Sequence, residues 1–220
     1  MSVLVPEKIE KESTIFNFCG NKINTSDREI DILAKFDEPL VIILGSVLDE
    51  AECDALIQVS KQRLERSKIG STREESEQRT SSGAFLHTSD HEVVMRVEKR
   101  IAELTGIPHA HGEGLHILNY LPGQEYKAHF DYFAATSKAA SNNRIATVVL
   151  YLNDVEEGGE TYFPKLNLSV FPKKGMAVYF EYFYNDPALN ELTLHGGAPV
   201  IKGEKWIATQ WIRRQRVNEV

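Results

Sequence analysis

From Glu113 onward the chain breaks into short apolar segments separated by turn-forming residues, and this spacing narrows the architectures open to it. Segments at about 113–120, 126–131, 145–152, 160–163, 168–171, 176–183, 193–195 and 204–212 read as strands. Gly158-Gly159, Pro172, Gly175, Gly196-Gly197 and Gly203 punctuate them. Eight short strands preceded by helices predict a mainly β fold with flanking helices. The expected core is a jelly-roll, or double-stranded β-helix, packed against the N-terminal helices.

Upstream, Pro39 opens the apolar strand Leu40–Leu44. Asp49 followed by Glu52 resembles a helix N-cap with a reciprocal partner, and the helix is expected to run to about Ser67. Ser89 and Glu92 repeat that pattern. Val94, Val97, Ile101 and Leu104 then recur at helical spacing until Gly106 and Pro108 stop the second helix. Between the helices lies Lys68–His87, rich in Ser, Thr and Arg. It reads either as a solvated loop or as a substrate-contacting segment. Met1 to about Glu38 is weakly patterned, with a small strand pair expected around Thr14–Ile23. Three regions are therefore expected: an arm over 1–39, a helical support over 40–110 and a β domain over 111–214.

A chain of 220 residues with 42% hydrophobic and 26% charged residues suits an ordinary globular protein. The longest apolar runs, Ile145–Leu152 and Leu40–Leu44, fall far short of the roughly 20 residues that span a bilayer. Met1–Lys11 is charged and lacks an apolar signal core, so no membrane attachment and a cytoplasmic location are expected. Cys19 and Cys53 are the only cysteines, and a reduced compartment fits them better than a disulfide. The net charge of −7 disfavours nucleic acid as a partner. A homodimer is a possible assembly.

His129 and Asp131 stand two apart in an expected strand, which aims both side chains at one face. Alone, that pair also describes a core histidine beside a turn aspartate. His195, before Gly196-Gly197, offers a third ligand. Two imidazoles and one carboxylate leave three positions open on a metal, the arrangement that non-haem iron(II) oxygenases use. Lys205 adds the decisive feature. Lys205, Ile207, Thr209 and Trp211 share one face of a strand, and a lysine pointing into a barrel is costly unless it meets an anion. Trp206 and Ala208 on the opposite face leave a surface strand as the competing reading.

Five stretches, in this order, carry a family resemblance: Glu113-Gly-Leu-His-Ile-Leu-Asn-Tyr120, Tyr126-Lys-Ala-His-Phe-Asp-Tyr132, Arg144-Ile-Ala-Thr-Val-Val-Leu-Tyr-Leu-Asn153, Glu156-Glu-Gly-Gly-Glu-Thr161 and His195-Gly-Gly with Lys205-Trp206. Together they closely resemble the prolyl 4-hydroxylases. The likeness covers about 110–214, and extends more loosely to the helices and to Arg79-Thr-Ser-Ser-Gly-Ala-Phe85. It implies that His129, Asp131 and His195 hold Fe(II), and that Lys205 pairs with the distal carboxylate of 2-oxoglutarate. Tyr120 and Thr161 would assist Lys205, and Trp211 would lie near the metal pocket. Arg79, Glu113, Tyr126 and Arg144 would line a peptide groove, although each also has an ordinary structural reading as a loop charge, ion-pair partner, core aromatic or strand-entry charge. The implied reaction hydroxylates a peptidyl proline, with collagen-like sequences among the candidates. It consumes O2, converts 2-oxoglutarate to succinate and CO2, and uses ascorbate to restore the metal. Asp131 favours hydroxylation over halogenation, which needs a small residue there. The alternatives on this scaffold are a hydroxylase of a free amino acid or small metabolite, a nucleic-acid demethylase, and a non-enzymatic peptide-binding or sensor protein.

Overall fold

The computed structural model describes residues 13–69 and 74–217. The eight expected strands lie at Leu115–Tyr120, Tyr126–His129, Arg144–Tyr151, Thr161–Phe163, Leu168–Val170, Ala177–Glu181, His195–Gly197 and Lys205–Arg213, the seventh shifted from 193–195 because Thr193 caps a short helix. They divide between two antiparallel sheets. The minor sheet has the order Leu168–Val170, Thr161–Phe163, His195–Gly197, Tyr126–His129. The major sheet has nine strands, with Ala177–Glu181, Arg144–Tyr151, Lys205–Arg213 and Leu115–Tyr120 at its centre. One flank adds Leu40–Gly45, Glu29–Asp37 and Lys22–Asn24, while the other adds Ser82–Leu86 and Glu65–Arg66. The major sheet thus draws strands from all three regions of the sequence.

Each face of the major sheet buries its own apolar cluster. Tyr120, Val149, Phe180 and Ile207 pack toward Phe163 and Val170 of the minor sheet, forming the interior of a double-stranded β-helix. Ile117, Val148, Tyr179, Trp206 and Ala208 pack the other way, onto the helices. Burial on both faces explains why the central strands read as nearly continuous apolar runs rather than as alternating ones. It also settles the ambiguity at Lys205–Arg213, where Trp206 and Ala208 face the helices and Lys205 faces the interior.

Two helices cover the outer face. Helix α1, Glu50–Lys61, begins at Asp49, whose carboxylate accepts from Glu52 N at 2.9 Å while Glu52 accepts from Asp49 N at 3.1 Å. The reciprocal cap is as expected, and is worth about 1 kcal/mol. The expected end near Ser67 is not. The helix stops at Lys61, and Glu65–Arg66 instead pairs with Ser82–Leu86, where Arg66 donates to the Arg79 and Ser81 carbonyls. Sheet-edge pairing outweighs helix propagation there. Helix α2, Glu92–Thr105, buries Val94, Val97, Ile101 and Leu104 and ends at Gly106, whose φ of 72° is the left-handed conformation glycine favours. Its cap is His91, not Ser89. His91 Nδ1 accepts from Val93 N at 3.1 Å, while the Asp90 carboxylate turns back to His87 N.

The N-terminal strand pair is also displaced from Thr14–Ile23. Lys22–Asn24 pairs with Glu29–Asp37 across a turn in which Thr25 N donates to Arg28 O at 2.9 Å. Thr25 closes that turn with its side chain, its hydroxyl accepting from Arg28 N at 3.2 Å. The segment Lys68–His87 is more ordered than a solvated loop, since Lys68–Ile69 pairs with Glu74–Glu75 and Ser82–Leu86 joins the major sheet. Residues 70–73 lie outside the described residues. Cys19 is exposed, Cys53 is buried, and neither is in a disulfide. No described helix is long and apolar enough to cross a membrane.

Candidate active site

His129 is the last residue of the strand Tyr126–His129, and its Cα partner in the minor sheet is His195, the first residue of His195–Gly197. Sheet register therefore places the two imidazoles side by side, with ring centroids 4.5 Å apart. Ladder pairing ends at His129, so Asp131 lies just past the strand rather than within it. Its backbone and side chain are caught by the neighbouring strand: Arg144 Nη1 donates to Asp131 O at 3.3 Å, and Thr147 Oγ1 donates to Asp131 Oδ2 at 2.7 Å. Ligand atoms of His129, Asp131 and His195 all lie within 4.8 Å of one another.

The outer hydrogen bonds select the tautomers. His129 Nδ1 lies 2.9 Å from Lys127 O, and His195 Nδ1 lies 2.9 Å from Thr193 O. A carbonyl can only accept, so each Nδ1 carries a proton, and in the neutral ring each Nε2 presents a lone pair. Those Nε2 atoms stand 3.4 Å and 3.5 Å from the two Asp131 oxygens. Burial presses His195 down to about 4, against the pull of Asp131, so the imidazole is neutral at neutral pH. Burial would push the Asp131 carboxyl up, but His195, His129 and Arg144 outweigh it and hold the group far below the carboxylate range. Two imidazoles and one carboxylate converging on one point fit a divalent transition metal.

Lys205 begins its strand opposite Tyr120 and lines the same pocket as the three candidate ligands. It is 2% exposed. Among the described residues its ammonium has no hydrogen bond or close ion pair; the Tyr120 ring lies 5.4 Å away, and Glu160 acts only at longer range. Burial holds it down to about 8. Gly197 leaves room beside it, because a Cβ there would lie 3.4 Å from Lys205 Nζ. Thr161 lines the pocket too, with its oxygen accepting from Tyr151 Oη at 2.9 Å, which leaves the Thr161 proton free to donate. The pocket is thus built to receive a carboxylate at its inner end.

The residues expected to meet a peptide separate into two groups. Tyr126 and Arg79 line the pocket: the Tyr126 ring stacks on His129 at 3.6 Å, and the Arg79 guanidinium lies 4.7 Å from the Tyr126 ring centre. Glu113 and Arg144 bind each other instead, through contacts of 2.7 and 2.8 Å, and Arg213 joins the same carboxylate. The Arg144 guanidinium lies 3.8 Å from the Trp211 ring centre, so this cluster buttresses Trp211. Four participants were not picked out in the sequence. Thr147 and Tyr182 stand behind Asp131. His116 stacks on the exposed Phe85 ring at 4.1 Å and lies 5.5 Å from Trp211. Thr147 had a signal, as the one aliphatic hydroxyl in the apolar run Ile145–Leu152. The other three look like ordinary core residues until the sheets are assembled.

Comparison with known proteins agrees with this geometry. Residues 115–213 match the family described as the 2OG-Fe(II) oxygenase superfamily. Probable prolyl 4-hydroxylase 10 and prolyl 4-hydroxylase 5 of Arabidopsis thaliana are each 38% identical to the chain. The alignments cover 88% and 87% of it, and 75% and 74% of those proteins. Among solved structures, the viral collagen prolyl hydroxylase vCPH of Paramecium Bursaria Chlorella virus-1, in its 2OG complex, superposes with a TM-score of 0.63 at 33% identity. The match covers 79% of this chain and 95% of vCPH. A Pseudomonas putida prolyl-4-hydroxylase shares the fold at 19% identity and a TM-score of 0.57. With its ligand triad, buried lysine and barrel in place, this chain belongs to the prolyl 4-hydroxylase family of the 2OG-Fe(II) oxygenase superfamily.

Proposed function

We propose that the chain hydroxylates a prolyl residue within a peptide, collagen-like sequences included, at Fe(II) held by His129, Asp131 and His195, with 2-oxoglutarate anchored by Lys205. Bound iron, 2-oxoglutarate and O2 supply the oxidising power, and 2-oxoglutarate leaves as succinate and CO2. The protein's own residues bind and orient. Lys205 gives a cosubstrate carboxylate the counter-charge it would otherwise lack in the interior, and Thr161 can donate beside it. The hydrogen bonds to Lys127 O and Thr193 O keep both Nε2 lone pairs aimed at the metal position.

The peptide reading rests on one observation. Two buried donors that line the pocket, Arg79 Nε and Trp211 Nε1, have no acceptor among the described residues. Buried donors without partners cost roughly 1–3 kcal/mol each, so a ligand that supplies acceptors is strongly favoured there. A polyproline strand fits, because its carbonyls make no internal hydrogen bonds and its rings pack on aromatic side chains. Tyr126, Trp211, His116 and the exposed Phe85 provide such rings. Free proline offers a single carboxylate and no repeating carbonyls, and would leave this array largely unused.

The test incubates the protein with Fe(II), 2-oxoglutarate and ascorbate. It compares free L-proline with polyproline and Gly-Pro-Pro peptides and reads hydroxyproline by mass. Peptide hydroxylation is expected. Efficient turnover of free proline without the peptides would replace this reading by a small-metabolite hydroxylase.

A further inference from the structure

Asp131 is the one candidate ligand whose two equivalent donor atoms leave its mode of binding open. A carboxylate that offers both oxygens occupies two positions on a metal and leaves fewer for the cosubstrate. Each oxygen faces one imidazole, Oδ1 lying 3.4 Å from His129 Nε2 and Oδ2 3.5 Å from His195 Nε2, but only Oδ2 also has a hydroxyl donor behind it. Thr147 Oγ1 lies 2.7 Å from Asp131 Oδ2, and Tyr182 Oη lies 2.7 Å from the same Thr147 oxygen. Thr147 and Tyr182 are buried, at 0% and 3% exposure.

The direction of this chain follows from its chemistry. An ionised carboxylate only accepts, so the single Thr147 proton goes to Asp131 Oδ2. The Thr147 oxygen must then accept, and the Tyr182 hydroxyl donates. Burial first, and the nearby Asp131 charge second, raise the Tyr182 phenol well above its ordinary range and keep that proton in place. Hydrogen bonds in such a series polarise one another, and the effect is strongest where water is excluded.

We infer that Tyr182 and Thr147 form a positioning relay that engages Asp131 Oδ2 and leaves Oδ1 as the single oxygen offered to the metal. Neither residue touches the reacting atoms. Both act through the orientation and basicity of one ligand. Thr147 sits in strand Arg144–Tyr151, and Tyr182 directly follows strand Ala177–Glu181, its neighbour in the major sheet, so the relay couples the metal centre to the middle of that sheet. Arg144 holds the Asp131 carbonyl independently. Removing the Thr147 hydroxyl should therefore free the carboxylate to rotate while the backbone stays in place.

The inference rests on the metal-site half of the proposed function, and anaerobic Co(II) binding separates the two. Co(II) suits the same ligand set and its electronic spectrum reports coordination number. Wild-type protein, Thr147→Val, Thr147→Ser and Tyr182→Phe are titrated by calorimetry and spectrophotometry, and their thermal midpoints are measured without metal. Thr147→Val keeps the shape, loses the hydroxyl, and should weaken Co(II) binding about 10–100-fold with an altered spectrum. Thr147→Ser should restore both affinity and spectrum. Tyr182→Phe should give a smaller loss in the same direction. A shift in thermal midpoint alone, with Co(II) affinity and spectrum unchanged in Thr147→Val, would overturn the relay. If Thr147→Val fails to fold, Tyr182→Phe decides in its place, and wild-type affinity and spectrum there overturn the relay equally. Absence of Co(II) binding in the wild type would remove the metal reading itself and the relay with it.

Discussion

At the head of strand Lys205–Arg213, burial holds the Lys205 ammonium down to about 8, compared with 10.5 for a free lysine. In the unfolded chain the group keeps its proton up to the higher value. The ligand-free protein is therefore destabilised below pH 8, by about 3 kcal/mol, and that cost fades as pH rises toward 10.5. A bound carboxylate reverses the balance by favouring the charged form. The 2-oxoglutarate dissociation constant should be flat below pH 8 and rise about tenfold per pH unit above it, as measured by anaerobic titration. Lys205→Met should weaken that binding by about two to three decades, abolish its dependence on pH in this range, and leave Co(II) affinity near the wild-type value. At pH 7 the same variant, without ligand, should unfold at higher denaturant than the wild type, because the buried charge is gone. Unchanged 2-oxoglutarate affinity in Lys205→Met would place the lysine outside the binding event.

Arg79, just before strand Ser82–Leu86, lines the pocket, and the Phe85 ring of that strand lies 6.4 Å from the ring of the pocket residue Trp211, so this segment walls the pocket's edge. Ser82–Leu86 pairs with Leu115–Tyr120, while Arg79 bridges to Tyr126 and sends its guanidinium over that ring. The wall contributes Arg79 Nε as a donor without an acceptor, and Phe85 as an exposed ring stacked on His116. Its role is expected on the peptide side. Arg79→Ala should raise the peptide Michaelis constant about tenfold or more, with 2-oxoglutarate affinity nearly unchanged, because a hydrogen bond from a charged donor is worth about 1.5–3 kcal/mol. Phe85→Ala should act in the same direction, and more strongly on long peptides than on short ones. Steady-state kinetics with peptides of several lengths checks both, and an equal effect on the two substrates would assign the wall to general pocket integrity. Arg144→Ala should differ in kind. Its guanidinium is committed to Glu113, Trp211 and the Asp131 carbonyl, so its loss should disturb metal binding as well as peptide binding.

Across the whole molecule, a buried ion cluster ties the helices and the N-terminal turn together on the far side of the sheet from the pocket. Arg100 of α2 is 2% exposed and donates to Glu52 of α1 at 2.7 and 2.8 Å, to Asp27 at 2.7 Å, and to Val47 O at 2.9 Å. Glu52 also completes the α1 cap. Burial alone would push the Glu52 carboxyl up, but Arg100 and the Asp49 backbone hold it below its ordinary range. Glu52→Ala would leave Arg100 buried without its main partner and should cost about 3–5 kcal/mol in unfolding free energy. Chemical denaturation measures that loss, while Co(II) affinity of the folded fraction should be unchanged. The sign with pH follows the lowered carboxyl. This stabilisation is present above the unfolded carboxyl's range and is lost as pH falls through the lower folded value.

The signals that sequence alone determined are those acting over a few residues. Short apolar runs and the turn residues between them specify the eight strands, Asp49 with Glu52 specifies a helix start, and His129 with Asp131 specifies two ligands close in the chain. Lys205 is legible because an inward ammonium needs a specific reason. Register and burial decided the rest, since they depend on residues far apart in the chain. Only the pairing of His195–Gly197 with Tyr126–His129 sets the second imidazole beside the first. Sheet pairing also ends α1 at Lys61, where propensity alone would carry it further. Glu113 and Arg144 each read as a substrate contact or an ion-pair partner, and the assembled barrel closes them on each other beneath Trp211. Tyr182 reads as a core residue by every local criterion, and Thr147 is marked only by its hydroxyl in an apolar run. They become part of the metal site because adjacent strands of the major sheet deliver both hydroxyls to one oxygen of Asp131, in an interior where an unpaired polar group is too costly to leave.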